Sequence, residues 1–345
     1  MLKIDGYRMN RLITVDDLID IFIKGRQRGF DFIISKFSLN NRNRTKSAFS
    51  ESAKDSSNWW IIPAVRKRWN YLITGKATVN YKEFLVQEML KEKTDLKMLS
   101  LGSGSCETEM ELARYTNFKT ITCVDLSEYG LSVASKLARQ KGLNKLEFIC
   151  SDISDYVFPK KYFDVVLFNS SLHHFKNVEN LISQKILRSL TDDGILVINE
   201  YVGPNRLQFP KKQIQEVNKA IKIIPKKFRK RYKTNLYKNF FTGYGVLRMI
   251  VADPSECVDS NSILPSIHKY FDPLIEKSYG GNILMNALKD ISHHFIKING
   301  DKEKLLEKLF LFEDEYLKNH SSDFVFGVYK KKLLPILGTK EESHP

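Results

Sequence analysis

From Leu96 onward, five short β-rich runs alternate with segments of helix length, and this alternation limits the fold more than any other feature of the chain. The runs are "KMLSLG" (97–102), "TITCVDL" (120–126), "LEFICSD" (146–152), "FDVVLFNSS" (163–171) and "GILVINEY" (194–201). Most are nearly continuous in apolar residues, as parallel strands covered on both faces should be. The lengths between them suit one crossover helix each. Five strands in β-α-β alternation imply an α/β, doubly wound open sheet. Sheets of this kind take ligands at the carboxyl ends of their strands, near the switch in strand order.

The flanks read differently. "TVDDLIDIFIKG" opens with Thr14 and has Asp17 three residues on, a variant of the capping box. Val15, Leu18, Ile19 and Phe22 fall at helical spacing, which predicts one apolar helix face, suited to a core or a dimer contact. Residues 40–58 are polar and aperiodic and read as a loop or linker. Helices fit "WWIIPAVRKRWNYLITG", with Val65, Trp69 and Leu72 on one face, and residues 80–92. After Tyr201 the alternation breaks into helix-like pieces. Strand character returns at 272–284, two amphipathic helices fit 283–319, and "DFVFGVYKKK" (323–332) reads as a last strand.

Bulk properties narrow the class. At 345 residues the chain is long enough for one large α/β core plus an appendage. No apolar run approaches the ~18 residues of a membrane span, and "MLKIDGYRMN" lacks the apolar centre of a secretory signal. Cys106, Cys123, Cys150 and Cys257 show neither paired nor metal-ligand spacing. The expectation is a reduced, cytoplasmic protein without a structural metal. The net charge is +15, and the stretch from Lys211 to Lys238 alone contributes a net +10, with Glu216 its one acid. Such a block is either a solvated face or the footprint of an anionic partner: a phosphate, a nucleic acid or a membrane surface.

The first strand run ends in "LSLGSGSCETEME" (99–111). Gly102 and Gly104 permit a tight turn and close backbone approach to a ligand. Glu107 occupies the place of the third glycine of a dinucleotide fingerprint, and an anion near a helix N-terminus disfavours a pyrophosphate there. A ligand without phosphate fits better, and S-adenosylmethionine is one. Asp125 ends the next run, 23 residues after Gly102, where a carboxylate can accept from both ribose hydroxyls. Asp152 ends the third run and suits the adenine amino group, with Ile153 against the ring. "NSSLHHF" ends the fourth. Each has a plain structural reading too: Asp125 as a cap for the helix near Ser127, Asp152 as a turn residue. Together they mark four successive strand ends on one rim.

On these residues the chain resembles the class I, Rossmann-like S-adenosylmethionine-dependent methyltransferases. "LSLGSGS", "VDLS", "CSDI", "FDVVLFNSSLHHF" and "LTDDGILVINEY" carry the likeness, which runs over about 60–332 and is strongest over 97–201. The resemblance implies a seven-stranded sheet with helices on both faces and an antiparallel last strand. It implies cofactor contacts at Gly102, Ser103, Gly104, Asp125, Leu126, Asp152 and Ile153. Two positions depart from the family pattern: Ser100 stands where an acid is usual, and Cys106 where a third glycine is frequent. Glu107, Asn169 or an N-terminal residue is then expected to meet the methionine amino group, and Arg66 the methionine carboxylate.

The implied organisation is a helical extension and linker (1–58), the cofactor-binding core (59–202), a basic helical lid (203–265) and a C-terminal return to the core (266–345). Trp59, Trp60 and Trp69 are expected near the cofactor, Trp69 with the stronger claim to be plain core. "SLHHF" followed by "LTDDG" looks like methyltransferases of small molecules, lipids or glycans. The place where adenine-N6 enzymes carry Asp/Asn-Pro-Pro-Tyr/Phe reads "NSSL", and the Pro-Cys pair of cytosine-C5 enzymes is absent. For a hydroxyl acceptor, His173 and His174 are the candidate general bases, unless both only pack or cap the next helix. Glu200 and Tyr201 are secondary candidates, and Ser255 and Glu256 are expected in a substrate loop over 253–265. RNA- or protein-directed methylation through the basic block, and a catalytically silent binding module, are the alternatives.

Overall fold

The computed structural model describes residues 11–28 and 57–332. Strands β1 (Leu96–Leu101), β2 (Phe118–Asp125), β3 (Leu146–Cys150), β4 (Phe163–Asn169), β5 (Leu190–Tyr201), β6 (Phe271–Gly280) and β7 (Phe324–Lys331) form one seven-stranded sheet. Their order is β3-β2-β1-β4-β5-β7-β6. The first five pair in parallel, and β7 runs antiparallel between β5 and β6. The α/β sheet expected from the sequence is present, and "DFVFGVYKKK" supplies the antiparallel strand.

The apolar runs form strands because successive side chains serve opposite faces, and both faces are covered. Met98, Cys123, Val165, Leu167 and Val197 pack on one side, with Met110, Leu131 and Ala134 from helices α3 (Glu107–Leu112) and α4 (Glu128–Gln140). Leu99, Leu101, Val166, Phe168 and Ile198 pack on the other, with Ile182, Ile186 and Ile263. Each such side chain taken from water contributes about 1.5–3 kcal/mol before its ordering cost. Strand order reverses between β1 and β4, so their carboxyl ends border the crevice where ligands sit in this topology.

The helical flanks depart from the sequence reading in instructive ways. Helix α1 (Val15–Arg28) starts as expected: Thr14 Oγ1 accepts from the Asp17 amide, and Asp17 Oδ2 accepts from the Thr14 amide at 2.7 Å. Its faces are reversed, however. Val15, Leu18 and Phe22 are exposed, whereas Asp16, Asp17 and Asp20 are buried. The acids face cations and amides of distant segments: Arg231, Arg248, Lys289, Thr242 and Gly245. Pairing charge against charge outweighed the apolar stripe.

Helix α2 (Pro63–Thr74) starts with Pro63 at its first turn and ends at Gly75, which adopts φ 77°. The helix expected over 80–92 starts on an Asn80 cap and widens into a π turn over Leu85–Met89. Between β3 and β4 there is no helix. Asp152 Oδ1 accepts from the Ser154 amide, and its carbonyl from the amides of Asp155 and Tyr156, so turns replace the expected crossover helix. Of the helices expected over 283–319, one is only the short Leu284–Leu288 piece, and the other is α8 (Gly300–Leu317).

A separate apolar cluster lies beyond β5. It joins Trp59, Ile62 and Val65 to Val217 and Ile221 of α5 (Lys211–Ile223), Met249 of α6 (Val246–Ala252), Ile283, and Leu306 and Leu309 of α8. Helix α7 (Ile263–Tyr270) leads from this region back to β6. The polar stretch expected at 40–58 lies, up to residue 56, outside the described residues.

Candidate active site

The turn after β1 is shaped by its glycines. Gly102 has φ 68°, and a Cβ on it would stand 2.7 Å from Cβ of Ser171. Ser171 itself donates to the Leu101 carbonyl at 2.7 Å, so the ends of β1 and β4 are locked together where the strand order reverses. Gly104 has φ 54°, with open space where a side chain would stand. Its amide donates to Asp125 Oδ2 at 2.8 Å, while the Ser127 amide donates to Asp125 Oδ1 at 2.8 Å. The helix cap is Ser127, whose hydroxyl accepts from the Gly130 amide. Asp125 therefore orders the loop and keeps part of its acceptor capacity for a ligand.

Gly102, Asp125, Leu126, Asp152, Ile153, Ser171, His174, Phe175 and Ser255 surround a chamber of ≈ 80 Å³. It adjoins an open groove of ≈ 690 Å³ bounded in part by Leu126, Asp152, Ile153, His174, Phe175 and Ser255. The four strand ends singled out in the sequence thus meet on one rim. Ser255 comes from the segment beyond β5 and is tied to that rim, its hydroxyl 3.1 Å from His174 Nδ1.

A larger cavity of ≈ 910 Å³ lies beside it, bordered by Trp59, Trp69, Tyr81, Tyr201, Tyr279 and Phe324 and reached by His173, Glu256 and Arg66. The two adjacent histidines therefore serve different spaces. His173 Nδ1 lies 2.7 Å from Glu200 Oε2, and Glu200 Oε1 accepts from the amides of Ser171 (2.5 Å) and Leu172 (2.6 Å). His173 Nε2 faces Glu256 Oε1 at 3.9 Å. Burial pulls the His173 pKa down, but the Glu200 carboxylate, through charge and hydrogen bond, outweighs it, and the net shift is upward. Burial and the neighbouring His173 lower that of His174. Burial pushes Glu256 up, yet the two imidazoles hold it below the ordinary carboxylate value.

Residues 99–198 match a family described as methyltransferase domain. They form a class I S-adenosylmethionine-dependent methyltransferase domain. Over 112 residues, 32% of this chain and 43% of the relative, the chain is 24% identical to an uncharacterized methyltransferase, YcgJ, of Bacillus subtilis. Over 129 residues, 37% of this chain, it is 25% identical to sterol 24-C-methyltransferase erg6 of Aspergillus fumigatus, covering 33% of that protein. The chain thus spans less than half the length of either curated relative. A geranyl diphosphate C-methyltransferase from Streptomyces coelicolor is a structural neighbour at 14% identity and TM-score 0.44, covering 73% of this chain and 79% of that one.

The cofactor of the methyltransferase domain is S-adenosylmethionine, and the residues present suit it. The open side of Gly104, the remaining acceptor capacity of Asp125 and the apolar walls of Ile153 and Phe175 match a loop-bound ribose and adenine. The ≈ 80 Å³ chamber is smaller than a nucleoside, so the ligand must also use the adjoining groove.

Other expected residues stand elsewhere. Ser103 lies outside both walls and accepts from the Cys106 thiol. Asn169 stands behind the cavity wall with its amide spent: it accepts from Tyr81 and Asn199 and donates to Thr108. Glu107 is exposed at the start of α3 and borders neither cavity. The acid missing at position 100 has a neighbour instead, because the Ser100 hydroxyl donates to buried Glu109 at 2.5 Å. Burial pushes that carboxyl up to about 7, against the Ser100 bond that lowers it. Trp59 is the buried tryptophan at 2% exposure, with Trp69 edge-on to it at 4.6 Å and also reaching the cavity.

Arg206 was not singled out in the sequence. Its φ is 54°, a strained value for a residue with a Cβ. Its guanidinium donates to the carbonyls of Pro254 (2.6 Å) and Glu256 (3.1 Å), and its amide to that of Cys257 (2.6 Å). Arg206 therefore fixes the loop that carries Ser255 and Glu256. The one signal for it in the sequence is its position just past the end of β5. The ligand atoms of His173, Glu256 and Cys257, and of His174, Asp253 and Glu256, lie within 4.8 Å of one another in each group. Two sets of metal-ligand type thus share Glu256 where the sequence led us to expect no metal.

Proposed function

We propose that this protein methylates an oxygen of a small organic, lipid or glycan acceptor held in the ≈ 910 Å³ cavity. The observation that carries the reading is the buried His173–Glu200 pair at the boundary of that cavity. S-adenosylmethionine supplies an electrophilic methyl group on a good, neutral leaving group. The protein then has to position the acceptor, exclude water and take one proton.

His173 is the base in this reading. Glu200 holds Nδ1 as the protonated nitrogen, which leaves Nε2 to accept the hydroxyl proton. The Glu200 carboxylate stabilises the imidazolium formed as the proton arrives, and the upward shift of the His173 pKa has this cause. Glu200 does not reach the cavity and acts as a positioning residue; two backbone amides fix its other oxygen. His174 stands at the nucleoside chamber and ties the rim to Ser255. Arg66 is exposed and borders the cavity with Asn80 and Lys82, a place suited to a carboxylate of the cofactor or the acceptor. The aromatic walls suit a ring or prenyl face. We read residues 203–265 as a lid whose 253–257 loop closes the site under the grip of Arg206.

The test is incubation of the protein with methyl-labelled S-adenosylmethionine and cell extract, with label counted by fraction. Label in lipid, glycan or small molecules that disappears in Asp125→Ala is the expected result. Label in RNA or protein would overturn the acceptor class. The shared Glu256 favours one second reading, in which a divalent cation at that carboxylate binds the acceptor oxygen. Turnover abolished by a chelator and restored by one metal would select it over the histidine base.

A further inference from the structure

Residues 226–240, "KKFRKRYKTNLYKNF", form a single turn over Lys226–Phe228 and a narrow hairpin bridged between Lys230 and Tyr237. Two of its cations point inward. Arg231, 4% exposed, pairs with Asp290 at 2.6 Å and with Asp16 at 3.7 Å. Lys238, 2% exposed, donates to the Lys289 carbonyl at 2.7 Å. The Arg231 and Lys238 amides bond to the Leu236 and Arg229 carbonyls, each at 2.8 Å, and close the hairpin on itself, while the Tyr232 amide donates to the Asp290 carbonyl at 2.8 Å and helps tie it to the body.

With those two spent internally, what faces water is basic and apolar together. Lys226, Lys227 and Lys230 are exposed, and so are Leu236, Tyr237 and Phe240. The neighbouring strip continues the pattern. His294 Nε2 lies 2.9 Å from the Lys230 carbonyl, and the Phe228 ring packs on Phe295 at 5.8 Å. The chain leaving that contact exposes Ile296 and Ile298 around Lys297.

We propose that this face docks the protein on an anionic lipid surface. Lysines at headgroup level meet lipid phosphates, aromatic rings sit in the interface, and aliphatic tips reach the acyl boundary. Of the net +10 of residues 211–238, the +8 that remains without Arg231 and Lys238 gives the long-range attraction to a negative leaflet. A nucleic acid fits the same surface less well. Its phosphates favour arginine forks, yet Arg231 is committed to Asp290, and Arg229 donates to Asn239. Leu236, Ile296 and Ile298 would find nothing to bury on a sugar-phosphate backbone. The surface is independent of the chemistry proposed above, and its test reads binding alone.

The experiment is co-sedimentation of the full chain with vesicles of phosphatidylcholine, alone or with phosphatidylglycerol added. Thermal unfolding and S-adenosylmethionine binding serve as checks of the fold. Binding is expected only with phosphatidylglycerol and is expected to fall with salt. Lys226→Glu/Lys227→Glu/Lys230→Glu is expected to reduce it at least about five-fold per lysine changed. Leu236→Ser/Tyr237→Ser/Phe240→Ser is expected to weaken it as well while leaving the salt dependence in place. Absence of binding, or equal binding to both vesicles, overturns the proposal. So does an unaffected apolar variant whose vesicle binding is competed away by short RNA, since that outcome describes a general polyanion surface.

Discussion

The parallel half of the sheet and the segments laid across its rim hold together by different forces. In β1 and β4, Met98, Leu99, Leu101 and residues Val165 to Phe168 are wholly buried apolar side chains, and the one carboxylate between the strands, Asp164, accepts from the Lys97 amide near their amino ends. Across the rim, buried and half-buried charges do the joining: Arg206 on carbonyls of the 253–257 loop, Arg248 and Lys289 on Asp20, and Arg231 between Asp16 and Asp290. Apolar burial is non-directional, and the cluster that holds Leu99 takes in Val166, Ile263 and Tyr329 without singling out a partner. Charge pairing is directional, and here it joins partners as far as 269 residues apart. The proposed chemistry falls on the seam, because His173 belongs to the sheet rim and Glu256 to the overlying loop.

The seam is therefore where substitution should hurt function most. His173→Ala is expected to lower kcat by about 10²–10⁴ with the fold intact, measured with methyl-labelled cofactor. Near-wild-type turnover would remove the seam from catalysis. Glu200→Gln separates positioning from contact. The base works only when deprotonated, and Glu200 raises its pKa, so activity should rise through a midpoint above 6.5. Loss of the carboxylate charge should move that midpoint to lower pH and reduce kcat. An unchanged pH profile would leave Glu200 a purely structural role.

Stability distinguishes the two regions next. Leu167→Ala should cost about 2–5 kcal/mol through the cavity it leaves in the sheet. Asp20→Ala should cost about 3 kcal/mol, since it strands Arg248 and Lys289. Hydrogen exchange should place the first loss across the strands and the second over α1 and 242–250. A uniform response to both would dissolve the contrast. A smaller effect is expected at the glycine loop. Gly102→Ala forces a Cβ against Ser171 at a left-handed φ and should weaken cofactor binding about ten-fold by calorimetry. Arg206→Ala should be mildest, leaving the strands intact while exposing the 253–257 loop to limited proteolysis.

Much of the site was legible because topology does the assembling. Gly102, Asp125, Asp152 and the His173–His174 pair end four strands of one sheet, and parallel strands bring their carboxyl ends to one edge whatever the loops do. The apolar stripe of α1 misled because periodicity reports amphipathicity without saying which face finds partners. Asn169 ends its strand as expected, yet its amide is consumed by Tyr81, Asn199 and Thr108, two of which lie far from it in sequence. Nothing near Ser100 in the local pattern tells Glu107 from Glu109; only the turn of α3 exposes one and buries the other.

The sequence by itself determined the sheet, its parallel run, the glycine turn and the rim on which a ligand must lie. Continuous apolar runs and strand-end position are short-range properties, readable within a few residues. Tertiary structure alone decided which histidine faces the larger cavity, which acids of α1 are buried, and that Arg206 holds the loop carrying Glu256. Those outcomes rest on directional contacts between residues such as Asp16 and Thr242, 226 positions apart, and a charge carries no mark in its own neighbourhood of the partner that will meet it.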